Sequence, residues 1–168
     1  MNIQLLQWGL LSFMIGLILS LPLAAVHYQK NSTIKNFFTN QRKLKSAHLD
    51  FFTQAFAAGF VYLLEYSVKT PFPNYIVYPL FFGTIMNPLL LLLESTLLIR
   101  SGFFGMIYHL VRATSPLSLL FAWTAIAVTF LPRFMILSLL AFILMGSILL
   151  ISHLRKSTKA GESVHEKL

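Results

Sequence analysis

A chain of 168 residues, 57% hydrophobic and 11% charged, has less than half of the roughly 25% charged residues of a soluble domain, so water cannot be the solvent for most of its surface. The net charge of +8 does not point to nucleic acid, because the Lys and Arg residues sit in gaps between apolar runs, as in the loops of a polytopic membrane protein. With no cysteine, disulfides, thiol redox chemistry, iron–sulfur clusters and thiolate catalysis are excluded.

A membrane-spanning helix needs about 20 mostly apolar residues. Residues 3–26 meet that requirement. They lack a basic leading segment, and their apolar core is longer than the roughly 7–15 residues of a signal sequence, so an uncleaved helix is expected. The following loop, 28–46, holds Lys30, Lys35, Arg42, Lys43 and Lys45, which places it in the cytoplasm and the amino terminus outside. A second span, 47–68, carries Glu65 near its far end, and a short outer turn with Pro71 and Pro73 leads to a third span, 75–99, with Glu94 near its end. Between Arg100 and Pro132 the pattern is ambiguous. Residues 102–111 are too short to span, and 117–131 read as a fifth short span, a re-entrant segment or an interfacial one. The last clear span is 134–151. Beyond it the tail 156–168 is polar, with Arg155, Lys156, Lys159 and Lys167 marking that end as cytoplasmic, and disorder is expected past Lys159. An outside start and an inside end require an odd number of crossings, which favours 117–131 as a fifth.

The expected fold is therefore all-α, a polytopic membrane helix bundle over 1–155 with four core transmembrane helices and a fifth short apolar segment. Its solvent is the lipid bilayer, and no nucleic acid partner is expected.

In such a protein the costly residues are polar ones within apolar runs. Glu65 precedes Lys69 by four residues, a spacing that suggests an ion pair on one helix face near the outer interface. Glu94 shares a face with Asn87 and is open to a functional or an anchoring role. His109, beside Arg112, reads as an interfacial anchor. Pro88 follows Asn87 and should kink its helix, leaving Asn87 to cap the broken ladder, bond a neighbouring helix or shape a cavity. Ala55 and Gly59 make a small-xxx-small pair, which predicts close packing between the second and third helices. His48 opens the second span, with Phe51 and Phe52 one turn on. It is either an interfacial anchor or a ligand for haem iron in an apolar pocket, interior or between subunits. Asp50 points away from His48's face and is assigned to the helix start, where the dipole favours a carboxylate.

The order of motifs resembles a superfamily of small bacterial membrane proteins that includes styrene oxide isomerase and hydroxylaminobenzene mutase. The resemblance rests on Gly9-Leu10-Leu11-Ser12-Phe13-Met14-Ile15-Gly16-Leu17, on Ser46-Ala47-His48-Leu49-Asp50 after a basic loop, and on Gly83-Thr84-Ile85-Met86-Asn87. These cover about residues 8–95. The resemblance implies a four-helix, homo-oligomeric bundle in the bacterial inner membrane. It also implies haem b held by His48 as axial metal ligand between walls such as Phe51 and Phe52. Isomerase or mutase chemistry on a small lipophilic substrate would then follow, with Asn87 and Gln54 at the catalytic positions. Gln54 stands where the family tends to have asparagine, and Leu91 stands where the epoxide isomerases have tyrosine. The alternatives are a haem-binding or structural membrane protein without catalysis, and a small transporter using Glu65, Asn87 and Glu94.

Overall fold

The computed structural model describes residues 1–29, 32–96 and 103–165, with side chains of the last stretch described over 105–152. Arg100 and the end of the expected 75–99 span lie outside the described residues. All described secondary structure is helical: α1 (Ile3–His27), α2 (Ser32–Phe37), α3 (Gln41–Val68), α4 (Asn74–Glu94), α5 (Phe103–Phe130) and α6 (Arg133–His165). Four segments are long and apolar enough to cross a membrane: Ile3–His27, Asn74–Glu94, Gly105–Phe130 and Arg133–Ser152. The chain thus has the makeup of a multi-pass membrane protein.

Membership of that set differs from the sequence reading in two places. Within the ambiguous 100–132 stretch, Phe103–Phe130 form one continuous 28-residue helix, α5, with Pro116 inside it. A proline in a helix removes one donor and strains the preceding turn, yet apolar neighbours on both sides favour continuation over exposing backbone. The second expected span, 47–68, belongs to a helix that starts earlier. Asn40 caps α3, its Oδ1 accepting from the Lys43 backbone N–H at 3.1 Å. Arg42, Lys43 and Lys45 therefore ride on the first turns of α3. With Asp50, Gln54 and Glu65 further along, α3 is less apolar than the four segments above. Its far end is closed by Lys69 in the left-handed conformation, φ 57°, before the Pro71 and Pro73 turn. Similarly, α4 runs unbroken through Pro79 and Pro88, and α6 continues past Lys159 to His165.

The chain divides into two compact units, residues 1–125 and 126–168. In the first, α3 is the central element, packed against α1 on one side and α4 on the other. Its polar side chains consequently meet partner helices, which explains how a helix with this many polar groups is accommodated. Leu19, Leu44 and Phe51 form a buried cluster between α1 and α3, with Leu89 and Leu92 of α4 packed against it. In the second unit, α6 carries apolar side chains such as Leu137, Phe142 and Ile148 exposed around its circumference. An all-round apolar helix of this kind suits lipid.

The close approach of α1 to α3 depends on small residues of α1. A Cβ on Gly9 would lie 3.1 Å from the Ala55 carbonyl oxygen and 3.7 Å from Ala58 Cβ, and one on Gly16 would lie 3.1 Å from the Phe52 ring. Between them, the Ser12 hydroxyl donates to the Phe51 carbonyl at 2.8 Å. The expected small-xxx-small contact thus has α1 as its neighbour. Ala55 takes part through its backbone oxygen, while a Cβ on Gly59 would meet nothing within 4 Å. Gly83 of α4 is tighter still: a Cβ there would lie 2.7 Å from Leu119 Cβ and 3.1 Å from the Ser115 carbonyl oxygen. Gly83→Ala should cost about 1–3 kcal/mol, the usual penalty of overpacking. Gly59→Ala should be neutral or stabilise by up to about 1 kcal/mol through helix propensity. Thermal unfolding of both variants in detergent checks the contrast. Equal melting temperatures would mean that α4 and α5 do not meet at Gly83.

Candidate functional site

The residues singled out from sequence divide between two faces of α3. The first face looks toward α1. His48 lies two turns into α3, half-buried, with Nδ1 2.8 Å from the carbonyl oxygen of Gly16. A carbonyl only accepts, so Nδ1 carries the proton, and in the neutral ring Nε2 keeps its lone pair. Phe52 meets the imidazole edge to face at 4.9 Å, and Phe13 backs Phe52 at 5.2 Å. The missing side chain at Gly16 leaves room for Phe52. His48 is thereby fixed at one nitrogen and against one ring face.

His48 lines a cavity of about 660 Å³ between the end of α1 and the start of α3. Leu23, Val26 and Leu44 give it apolar walls, while Arg42 and Lys45 supply two cations. His27, in the last turn of α1, lines the same cavity. The signal for His27 in the sequence is its place at the end of an apolar run before a basic loop, which mirrors that of His48. Phe51 is not a wall of this cavity. It is fully buried in the core cluster with Leu19 and Leu44, because it lies about 100° further round the helix than Asp50 and faces neighbouring helices.

The second face looks toward α4 and α5. A cavity of about 550 Å³ there is lined by Lys43, Asp50, Asn87, Leu91, Glu94 and Arg112, among others. Asp50 is not at the helix start. The cap at Asn40 places it almost three turns inside α3, too far for the terminal dipole to act on it. Instead its Oδ1 accepts from Gln54 Nε2 at 3.0 Å. Gln54 is buried, and its Oε1 has no partner. Asn87 bonds a neighbouring helix, one of the possibilities left open by its sequence: its Oδ1 accepts from the buried Ser115 hydroxyl of α5 at 2.7 Å. Glu94 joins three helices. Lys43 of α3 lies 2.6 Å from Oε2, Arg112 of α5 lies 3.9 Å from Oε1, and the Tyr108 hydroxyl donates to Oε1. Lys43, Tyr108 and Ser115 carried no sequence signal as partners, since nothing in periodicity reveals which helices become neighbours.

Glu65 corrects another expectation. It does not reach Lys69. Its carboxylate is fully buried and accepts from the Asn2 backbone N–H at 2.6 Å, Asn2 Nδ2 at 2.5 Å and the Phe72 backbone N–H at 2.8 Å. The start of α1, the end of α3 and the loop before α4 are tied through this one side chain. An acceptor at the amino end of α1 also suits that helix's dipole. Glu65 is structural, as is Lys69, which holds the left-handed cap. His109 is exposed on α5 with its ring edge against Tyr108.

His48 therefore stands at one cavity, with Phe52 packed on its ring but, like Phe51, not among the residues that line that cavity. Asp50, Asn87 and Glu94 stand at the other, with Gln54 linked to it through Asp50. Among the described residues, no three His, Asp or Glu side chains form a group that could hold a metal ion. A metal centre here would have to arrive with most of its own ligands. No protein-family model, no curated protein and no solved structure matches the chain.

Proposed function

We propose that the chain is a haem-binding protein of the bacterial inner membrane, with His48 as axial ligand to haem b. The observation that supports this best is the hydrogen bond from His48 Nδ1 to the Gly16 carbonyl. Metal-ligating histidines donate their second ring N–H to a carbonyl or carboxylate, which sets the tautomer and the ring orientation. The donor set of the cavity fits the rest of a haem. Leu23, Val26 and Leu44 would give the macrocycle apolar contacts, and Arg42 and Lys45 would pair with its propionates. When bound, haem supplies a Lewis-acidic iron able to polarise an oxygen of a small lipophilic molecule.

The isomerase or mutase reading has weaker support. Asn87 and Gln54, the catalytic candidates, belong to the α3–α4–α5 side, and Leu91 in that cavity has no hydrogen-bonding group for an epoxide oxygen. Haem binding without epoxide turnover is the better account of this arrangement. Protein purified in detergent from haem-replete cells should show a Soret band and a stoichiometric haemochrome, and should leave aryl epoxides and aryl hydroxylamines unchanged. A colourless protein would overturn the proposal. Turnover of either substrate would restore the catalytic reading.

A further inference from the structure

The cavity between α3, α4 and α5 contains a carboxylate with little to hold it. Asp50 is half-buried and accepts one hydrogen bond, from the neutral amide of Gln54 at 3.0 Å, and among the described residues it is in no ion pair. The two cations that line the cavity are both engaged elsewhere. Lys43 closes on Glu94 at 2.6 Å, and Arg112 lies 3.9 Å from the same carboxylate. Beside Asp50, Gln54 is 5% exposed, with its Oε1 buried and unpartnered. The buried Gln54 oxygen therefore lacks a donor, and the carboxylate beside it has one neutral donor and no cation, in a place where an unmet acceptor or an unpaired charge is costly. Across the cavity Asn87 has given its oxygen to Ser115. Ser46 and Thr53 add two hydroxyls, that of Thr53 donating to the Leu49 carbonyl at 3.0 Å, and Leu49, Leu90, Leu91 and Pro116 supply the apolar part of the wall.

We propose that this cavity binds a small lipophilic ammonium compound, its charged head at Asp50 and its apolar body against Leu49, Leu90, Leu91 and Pro116. An ammonium supplies up to three donors and the missing positive charge, whereas a neutral molecule supplies no charge. A carboxylic acid held protonated would answer the same deficit without a ligand, and the test separates the two. The inference is independent of haem at His48, which faces the other side of α3.

The full-length protein in nanodiscs is titrated with phenethylamine and, separately, with its neutral counterpart 2-phenylethanol, using empty nanodiscs as the blank. Saturable binding of the amine and none of the alcohol is expected. Asp50→Asn should weaken amine binding by about thirtyfold or more, the usual consequence of removing one partner of a desolvated charge pair. Asp50→Glu keeps the charge and should retain most of the binding, which guards against a folding defect at this position. Leu91→Trp fills the cavity without touching the carboxylate and should also abolish binding, whereas His48→Ala should leave it unchanged. Equal binding of amine and alcohol, no saturable binding above empty discs, or equal affinity in the wild type and Asp50→Asn would overturn the proposal. So would a loss in Asp50→Glu as large as in Asp50→Asn.

Discussion

Replacing Glu65 with alanine lowers the stability of the folded protein by about 3 kcal/mol or more, the largest effect expected of any single polar substitution here. Three donors converge on this buried carboxylate: the backbone and side-chain N–H groups of Asn2 and the backbone N–H of Phe72. Alanine removes that acceptor from all three, leaving Asn2 Nδ2 only a long contact to the Phe72 carbonyl at 3.4 Å and the buried Phe72 N–H with none from this side chain. Each orphaned donor costs about 1–3 kcal/mol, and hydrogen bonds to a charged group lie at the strong end of the range. Glu65→Gln should cost less, since one oxygen remains, but its amide N–H₂ then opposes the Asn2 donors. Asn2→Ala should be milder still, because the Phe72 contact and one backbone donor survive. Thermal unfolding of the three variants in the same detergent should rank them Glu65→Ala, Glu65→Gln, Asn2→Ala from least to most stable. If Glu65→Ala melts with the wild type, the junction of α1, α3 and the α3–α4 loop is not held by this carboxylate.

The second large effect concerns His48 and its neighbour two residues on. His48→Gln should empty the protein of haem, while Asp50→Asn should leave haem content near that of the wild type. Glutamine retains the size and polarity of the imidazole and can still reach the Gly16 carbonyl, so any role as an interfacial or packing residue is preserved. It lacks the nitrogen lone pair that binds iron. Asp50 lies about 200° from His48 around α3 and lines the other cavity, so its loss removes neither the Gly16 hydrogen bond nor the Phe52 contact of His48. Haem quantified as the pyridine haemochrome, normalised to protein, reads the difference. Equal haem in both variants would mean that His48 is not the ligand.

The sequence revealed the helical class and the presence of several membrane-length apolar segments, because hydropathy over about 20 residues reports directly on the solvent a helix can face. It could not place the ends. Asn40 caps α3 seven residues before the apolar run begins, and a cap is a local hydrogen bond that hydropathy does not register. The stretch around Pro116 looked divided because proline interrupts a pattern more readily than it interrupts a helix already supported on both sides. Spacing along one helix correctly put His48 and Asp50 on different faces. It misplaced Phe51 as a pocket wall, because a face acquires meaning only when its partner helix is known. The Glu65–Lys69 pair failed for a similar reason. Four-residue spacing makes such a pair possible, yet the cap at Lys69 bends the backbone, and three donors distant in sequence claim the carboxylate. Long-range pairs such as Asn87 with Ser115 and Glu94 with Lys43 arise from the order in which helices pack, which a single sequence does not encode in any local pattern.

The central claim is that His48 Nε2, oriented through Nδ1 and the Gly16 carbonyl, holds iron in the α1–α3 cavity. The most direct measurement is the absorption spectrum of detergent-purified His48→Ala, grown in haem-replete cells, with and without added imidazole. Alanine leaves a gap of the ring's own shape between Gly16 and Phe52, into which free imidazole fits. No Soret band without imidazole, and recovery of the wild-type band with it, is the predicted result. A band of wild-type intensity in His48→Ala before imidazole is added, or no band on addition, would contradict the assignment.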